Sequence, residues 1–446
     1  MSGIDSEKKM CGAVGKDFPG TAFGVNQLKY PLTLLKINVY IIIVQAILFS
    51  CVMNSHSLEI KGEDINHSIF IGGTLQTDYR NISNPARADS RFDIRRARIH
   101  LKGNISNQLA YLMAFEFQGN ETQHLVDIFA DYQVNSFLLV RMGQFKVPFS
   151  HEWQINDSKF PFAERSIGYS LQPGRDIGLM IGGQFLRKTF SYGIGMFNGD
   201  GIDGSSGGNQ KDDSEMAVRF MLCPFALTEI PVLSGLFSGI SYTEGRIDLS
   251  NISVNVKSTG MIGTKRSLYV LNANTKFGAL LEVDKRKRTA IEGGLRYGPL
   301  ACYGEYQRYQ YIQLNPVRGI PGDANFYSWY VSFVINLYGH SFDIKSQTQP
   351  IKKQSENQTG LWQAAFRREY FSGDQQWMIE NAYNATKEAN AYSIALSYFA
   401  GMHYRLLLDY SVTDISDPLR IRVNPDGTIE YMSSETAFTL RFQITI

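Results

Sequence analysis

The sequence predicts an all-β protein, a 16-stranded antiparallel transmembrane β-barrel, with 18 strands as the other possible count. Three observations carry this. Apolar and polar side chains alternate with period two over most of the chain, aromatic residues gather at the ends of the alternating runs, and the links between runs alternate short and long. Composition agrees, with 43% hydrophobic and 13% aromatic residues but only 19% charged, against about 25% in an ordinary domain. Low charge together with 40 glycines and abundant aromatics argues against disorder and against a charged helical or coiled-coil chain. A formal net charge of +2 supplies no basic field for nucleic acid.

Residues 1–57 read as a preface and an export signal. Ile37 to Met53 is an uncharged apolar run preceded by Lys36 and followed by Asn54-Ser55-His56-Ser57. A basic flank, a short apolar core and a small-residue exit describe a secretory signal better than a membrane span, and an uncleaved signal anchor is the alternative. Leu48-Phe49-Ser50-Cys51 resembles a lipoprotein cleavage box only loosely, since Phe suits its second position poorly. No later stretch reaches eighteen apolar residues, so no further transmembrane helix is expected. Beyond the leader only Cys223 and Cys302 remain, which is no disulfide framework. The barrel is expected over 58–446.

The strands follow in order from the alternation: 67–80, 91–103, 108–118, 123–134, 138–146, 175–187, 189–198, 215–223, 234–245, 288–296, 299–312, 325–337, 361–372, 391–399, 402–412 and 434–446. Leu109, Tyr111, Met113, Phe115 and Phe117 set one face of the third against Ala110, Ala114, Glu116 and Gln118. The last is the clearest, with Phe438, Leu440, Phe442, Ile444 and Ile446 against Thr439, Arg441, Gln443 and Thr445. Each run approaches the roughly 9–11 residues that a tilted strand needs to cross a bilayer. Links near Asn104, Asn135, Lys188, Gly298 and Gly401 are tight. Those at 147–174, 199–214, 246–287, 313–324, 373–390 and 413–433 are long and polar. Links 224–233 and 338–360 break this pattern. The run 268–283, if it is a true pair of wall strands, raises the count to eighteen. A sheet in lipid needs a partner for every backbone N–H and C=O, so it must close on itself.

Several short stretches have a familiar order. They are Arg95-Arg96-Ala97-Arg98 with Leu101-Lys102-Gly103; Gly143-Gln144-Phe145-Lys146-Val147-Pro148-Phe149; Phe162-Ala163-Glu164-Arg165; Pro173-Gly174-Arg175-Asp176-Ile177-Gly178; and Phe197-Asn198-Gly199. Gly298-Pro299, Gly304-Glu305-Tyr306, the segment from Gly360-Leu361-Trp362 to Arg367, and Leu440-Arg441-Phe442-Gln443 continue the series. Together they resemble the phosphate-selective porin O and P family of bacterial outer-membrane channels, over about 67–446. The resemblance implies a sixteen-stranded barrel, commonly a homotrimer, delivered to the outer membrane by the barrel assembly machinery, passing small anions such as phosphate by diffusion. Two departures stand out. Leu337-Tyr338-Gly339-His340 replaces a usual Thr-Gly-Glu turn, and Ile446 stands where an aromatic residue commonly closes the chain.

In porins of this kind a long loop narrows the lumen, which makes 147–174 the expected constriction. Lys146, Lys159, Arg165 and Arg175 lie in or beside it and are the candidate anion ligands, Arg offering a planar fork to phosphate oxygens. Glu152, Asp157, Glu164 and Asp176 share the segment, so salt-bridged anchors are an equal reading. By parity Arg96, Arg98, Lys102, Arg141, Arg219, Arg367, Arg405 and Arg441 should line the lumen wall, with Glu116, Asp127, Asp131 and Asp409 also inward. No metal motif, nucleotide loop or nucleophile elbow appears, and the Gly- and Asp-rich run 198–213 fails the spacing of a Ca²⁺ loop. The expectation is therefore a porin, not an enzyme, with no cofactor. The alternatives are a non-selective porin, a barrel whose long loops bind or catalyse, with His100 and His403 as its nearest histidines, and a soluble β-sandwich.

Overall fold

The computed structural model describes residues 58–61, 68–84, 87–118, 125–186, 189–199, 201, 214–247, 249, 252–259, 267–272, 274–337, 360–377, 386–401 and 403–446. The preface, the signal and the turn at Tyr338-Gly339-His340 lie outside these residues.

Sixteen strands form the wall: β1 (Ser68–Asn84), β2 (Arg87–Asn104), β3 (Leu109–Glu116), β4 (Leu125–Asn135), β5 (Leu138–Lys146), β6 (Arg175–Phe185), β7 (Phe190–Phe197) and β8 (Glu215–Leu222) make the first half. The second half is β9 (Leu236–Gly245), β10 (Lys285–Tyr297), β11 (Leu300–Pro316), β12 (Gly322–Leu337), β13 (Leu361–Gly373), β14 (Glu388–Ala400), β15 (Tyr404–Val423) and β16 (Ile429–Thr445). Each pairs antiparallel with the next, and β1 pairs with β16 from Thr74↔Thr445 to Ser83↔Thr436. Gly73 and Ile446 exchange two backbone hydrogen bonds at the seam, at 3.1 and 3.0 Å. The sheet has no free edge, so every ladder group is satisfied across the apolar zone.

The two faces differ as lipid and water require. Outward positions carry Leu75, Ile99, Met142, Leu179, Phe220, Ile240, Ile291, Phe333, Ile394 and Phe438, all exposed. Outward aromatics sit toward the short-turn rim (Phe137, Phe185, Tyr297, Trp362) and toward the long-loop rim (Phe92, Tyr306, Tyr392, Tyr410), the two belts expected at membrane interfaces. Inward positions hold Gln76, Asp78, Arg80, Glu305, Arg367, Glu369, Arg405, Asp409, Arg441 and Gln443, all buried. Reversing this would put arginine on the lipid face, at about 2–4 kcal/mol each near mid-depth.

The eighteen-strand count is corrected. β9 pairs directly with β10, and the run 268–283 adds no strand between them. Tyr269–Asn272 instead pairs with Ser253–Val256 as a separate hairpin, while Gly278–Glu282 pairs with the tip of β11. Val254, Val256, Leu268, Tyr269 and Leu271 of the hairpin region pack on Ile167 and Leu171 of the link 147–174 and on Tyr309, Phe326 and Phe371 of the wall. Their apolarity serves burial inside the mouth, and local alternation does not distinguish that from burial in a wall. Two links expected to be long are short, 317–321 and 424–428, because β11, β12, β15 and β16 continue pairing beyond the apolar zone. There the outward face meets water, the apolar alternation lapses, and β-bulges interrupt the register.

Candidate channel constriction

The link 147–174 joins β5 to β6 and folds into the barrel. Glycine fixes the approach to it. Gly143 has φ +133°, and a Cβ there would lie 2.2 Å from the Ile128 carbonyl oxygen, which no other residue tolerates. The Val147 N–H donates to the Gly174 carbonyl at 3.1 Å, pinching the two ends together. Ser150 caps one helical turn, His151–Gln154, by accepting from the Trp153 N–H at 3.2 Å. Phe160, Phe162 and Ala163 are buried against Tyr303, Tyr330, Ala365 and Leu407 on β11, β12, β13 and β15. The loop therefore leans on one wall.

Polar contacts hold it there. Arg405 donates to the Phe160 and Pro161 carbonyls at 2.6 and 3.0 Å, and Arg441 to the Ala163 carbonyl at 2.6 Å. Arg367 pairs with Glu369 at 2.7 Å and with Glu152 at 3.3 Å. The Ala163 N–H donates to Asp409 at 3.0 Å, the Ile167 N–H to Glu369 at 2.7 Å, and the His151 N–H to Glu305. Further round the same arc of wall, on β16, β1 and β2, Glu164 receives Arg80 at 2.6 Å, Arg95 at 2.7 Å and Arg441 at 3.4 Å. Asp157 receives Arg165 at 2.8 Å, Arg96 at 3.1 Å and Arg98 at 3.3 Å.

The loop carboxyls differ in electrostatic state. Burial alone would raise Asp157, but Arg96, Arg165 and Arg98 outweigh it and hold that carboxyl well below its ordinary range. Burial is likewise outweighed at Glu164, where Arg95, Arg80 and Arg441 lower it. Glu152 moves upward, because burial exceeds the pull of Arg367 and Arg165.

The four sequence candidates take different positions. Lys146 Nζ donates to the Trp153 carbonyl at 2.7 Å and to the Ile155 carbonyl at 3.3 Å. Arg165 donates to the Glu152 and Ile155 carbonyls besides Asp157. Arg175 makes a fork on Asp127, at 2.9 and 3.1 Å. Lys159 is half-buried at the end of a short 3-10 turn, Asp157–Lys159. On the wall, Arg98 also meets Glu116 at 3.1 Å, Arg141 meets Asp131 at 2.6 Å, and Arg219 meets Glu292 at 2.5 Å. Lys102 lies over the Phe70 ring at 4.4 Å toward the short-turn rim. Arg141, Lys146 and Arg219 converge on a recess of about 150 Å³.

Arg80 and Arg95 were missed as site residues. The register of β1 and β2 slips between Gln76 and Thr77, leaving Arg95 opposite no partner. That bulge turns Arg95 and Arg96 to the same side, so three of the four residues Arg95-Arg96-Ala97-Arg98 reach the loop. Strict alternation hides this, and two adjacent arginines in a membrane strand are the only signal. Among the described residues around this flank six guanidinium groups (Arg80, Arg95, Arg96, Arg98, Arg165, Arg441) share four carboxylates (Asp78, Glu116, Asp157, Glu164). Arg95, Arg96 and Arg98 keep 13–19% of their side-chain surface open, whereas Glu152, Arg367 and Glu369 beneath the loop are closed. His100 stacks on Phe70, and His403 Nδ1 bonds the Thr445 carbonyl, both near the short-turn rim.

A closed barrel with a greasy exterior, a charged interior and an inward-folded loop defines a porin-type channel of the bacterial outer membrane. The chain belongs to the phosphate-selective porin O and P family, whose profile matches residues 69–446. Its fold is similar to that of the anion-selective porin from Comamonas acidovorans, at a TM-score of 0.50 and 11% identity, covering 85% of this chain and 100% of that one. OmpT, an outer-membrane protein of Vibrio cholerae, aligns at a TM-score of 0.52 and 10% identity, over 87% of this chain and 99% of that one. Likeness at such identity speaks for the fold alone. No curated protein sequence matches.

Proposed function

We propose that this porin passes small anions by passive diffusion, with phosphate or polyphosphate the favoured solutes, and works as a homotrimer. The observation that carries the reading is the excess of guanidinium over carboxylate on the flank of the loop where Arg95, Arg96 and Arg98 keep open surface. A solute passing there meets a positive edge, and charged side chains lining a narrowing set the sign of selectivity. Arg165 and Arg175 shape the constriction, since their hydrogen bonds go to the chain's own carbonyls and carboxylates. Arg96 and Arg98, with Lys102, Arg141 and Lys146 along the same path, present charge to the solute. The family to which the chain belongs agrees with phosphate as the solute.

The engagement of nearly every inward cation by the chain itself favours a second reading, a general porin with mild anion preference. Chloride current through reconstituted protein, titrated with phosphate, separates the two. Phosphate block that weakens in Arg96→Ala and Arg98→Ala supports the phosphate reading. Equal block in wild type and variants, or none in either, supports the general porin.

A further inference from the structure

The outer face of β10–β14 carries cations where a lipid-facing wall should have none. Lys285 and Lys287 point outward on β10 and share one carboxylate, Glu244, at 2.8 and 3.6 Å. Arg308 on β11 is exposed, its guanidinium 5.6 Å from the Tyr327 ring centre and bonded to Asn325 at 3.1 Å. Arg368 on β13 is exposed between Trp329 and Tyr392, 5.6 Å from each ring. Among the described residues neither guanidinium meets a carboxylate. The aromatics are continuous, since Tyr306 packs on Tyr327 and Trp329 stacks on Tyr370.

We infer that this patch is a binding site for a phosphorylated lipid headgroup of the outer leaflet. Aromatic rings of this kind mark the boundary between acyl chains and headgroups. They lie on the long-loop side of the outward apolar residues Leu300, Phe333, Phe366 and Ile394, the side that faces outward from the cell in barrels of this type. A guanidinium beside aromatic rings with no carboxylate on it has N–H groups to turn to phosphate oxygens, and two such groups with two lysines suit a headgroup carrying more than one phosphate. A two-fold contact through this patch would set cations against cations, whereas a headgroup bearing phosphates complements them, so charge complementarity favours the lipid.

The test uses the full chain, folded in a neutral detergent. Bis-phosphorylated lipid A, its dephosphorylated form and phosphatidylcholine are added separately, and retained lipid is counted by native mass spectrometry. The wild type should retain the phosphorylated form about tenfold or more over the other two, and Arg308→Gln with Arg368→Gln should abolish most of that preference. Lys276→Gln, an exposed cation away from the patch, should keep it. Heat-modifiable migration verifies that the double variant has folded. Inorganic phosphate at millimolar concentration should compete weakly, because the acyl chains hold the headgroup in place. Equal retention of all three lipids by the wild type overturns the inference without any variant, as does retention undiminished in a folded double variant. Displacement of the lipid by inorganic phosphate alone would reassign the patch to free phosphate and overturn the lipid assignment.

Discussion

Glu164 concentrates the fixity of the loop in one side chain. It receives three guanidinium groups while almost wholly buried, and removing one partner of a buried pair costs about 3–5 kcal/mol. Glu164→Gln should therefore lower the unfolding free energy in detergent by about 3 kcal/mol and make the open-channel current noisy. A stability loss under about 0.5 kcal/mol, the scale of an exposed pair, counts against this role. Glu164 and Asp157 are both lowered in the folded chain. Their stabilisation is thus complete above the ordinary carboxylate range and lost as pH falls below about 4. Unfolding free energy in detergent should be level between pH 7 and pH 5 and lower at pH 3, while both carboxyls of the folded channel stay ionised; equal unfolding free energy at all three pH values refutes it. Gly143→Ala places a methyl on the Ile128 carbonyl in a backbone conformation that L-residues avoid. It should lose about 2 kcal/mol or more, or fail to assemble, read as the yield of heat-modifiable protein. At this scale the sequence was half legible. Charge type marked Arg165 and Arg175, but their partners Asp157 and Asp127 are named by geometry alone.

Among the elements, the bulge in β2 decides which arginines reach the solute path. Period-two reading assigns Arg96 and Arg98 inward and leaves Arg95 to the lipid, since a one-residue slip is invisible to alternation. With Cys223 and Cys302 replaced by Ser, both Arg95→Cys and Arg96→Cys should react with a charged, membrane-impermeant thiol reagent, while Ile94→Cys should not. Labelling of position 96 with none at 95 would remove the bulge from the account. The hairpin of Ser253–Val256 and Tyr269–Asn272 is the other element that alternation misplaced. It seals onto Ile167 and Leu171, and Thr259 Oγ1 reaches Glu369 at 3.0 Å. Replacing 250–273 with a short Gly-Ser linker should raise single-channel conductance, and an unchanged value would mean that the hairpin does not narrow the path. Strand ends were underread for a related reason: outside the apolar zone nothing in the side-chain pattern separates a protruding ladder from a loop.

For the molecule as a whole, closure is what the sequence conveyed best. Sixteen runs of alternation with no free edge admit few arrangements, and the seam from Thr74 to Ser83 against β16 completes the ring. The interior was conveyed least, because the sign of a lumen depends on which charges neutralise each other. Acids and bases are nearly equal in number along the chain, at 42 and 44, yet the structure partitions them. The acids Glu152, Glu305 and Glu369 are closed beneath the loop with Arg367, while at its open flank Arg95, Arg96 and Arg98 outnumber Glu116 and Asp157. That partition makes the central claim measurable in one experiment. In a planar bilayer holding the reconstituted protein across a tenfold KCl gradient, the reversal potential should take the sign of chloride permeation. A cation-signed potential would contradict the basic path, and absence of any conductance from folded protein would contradict the channel itself.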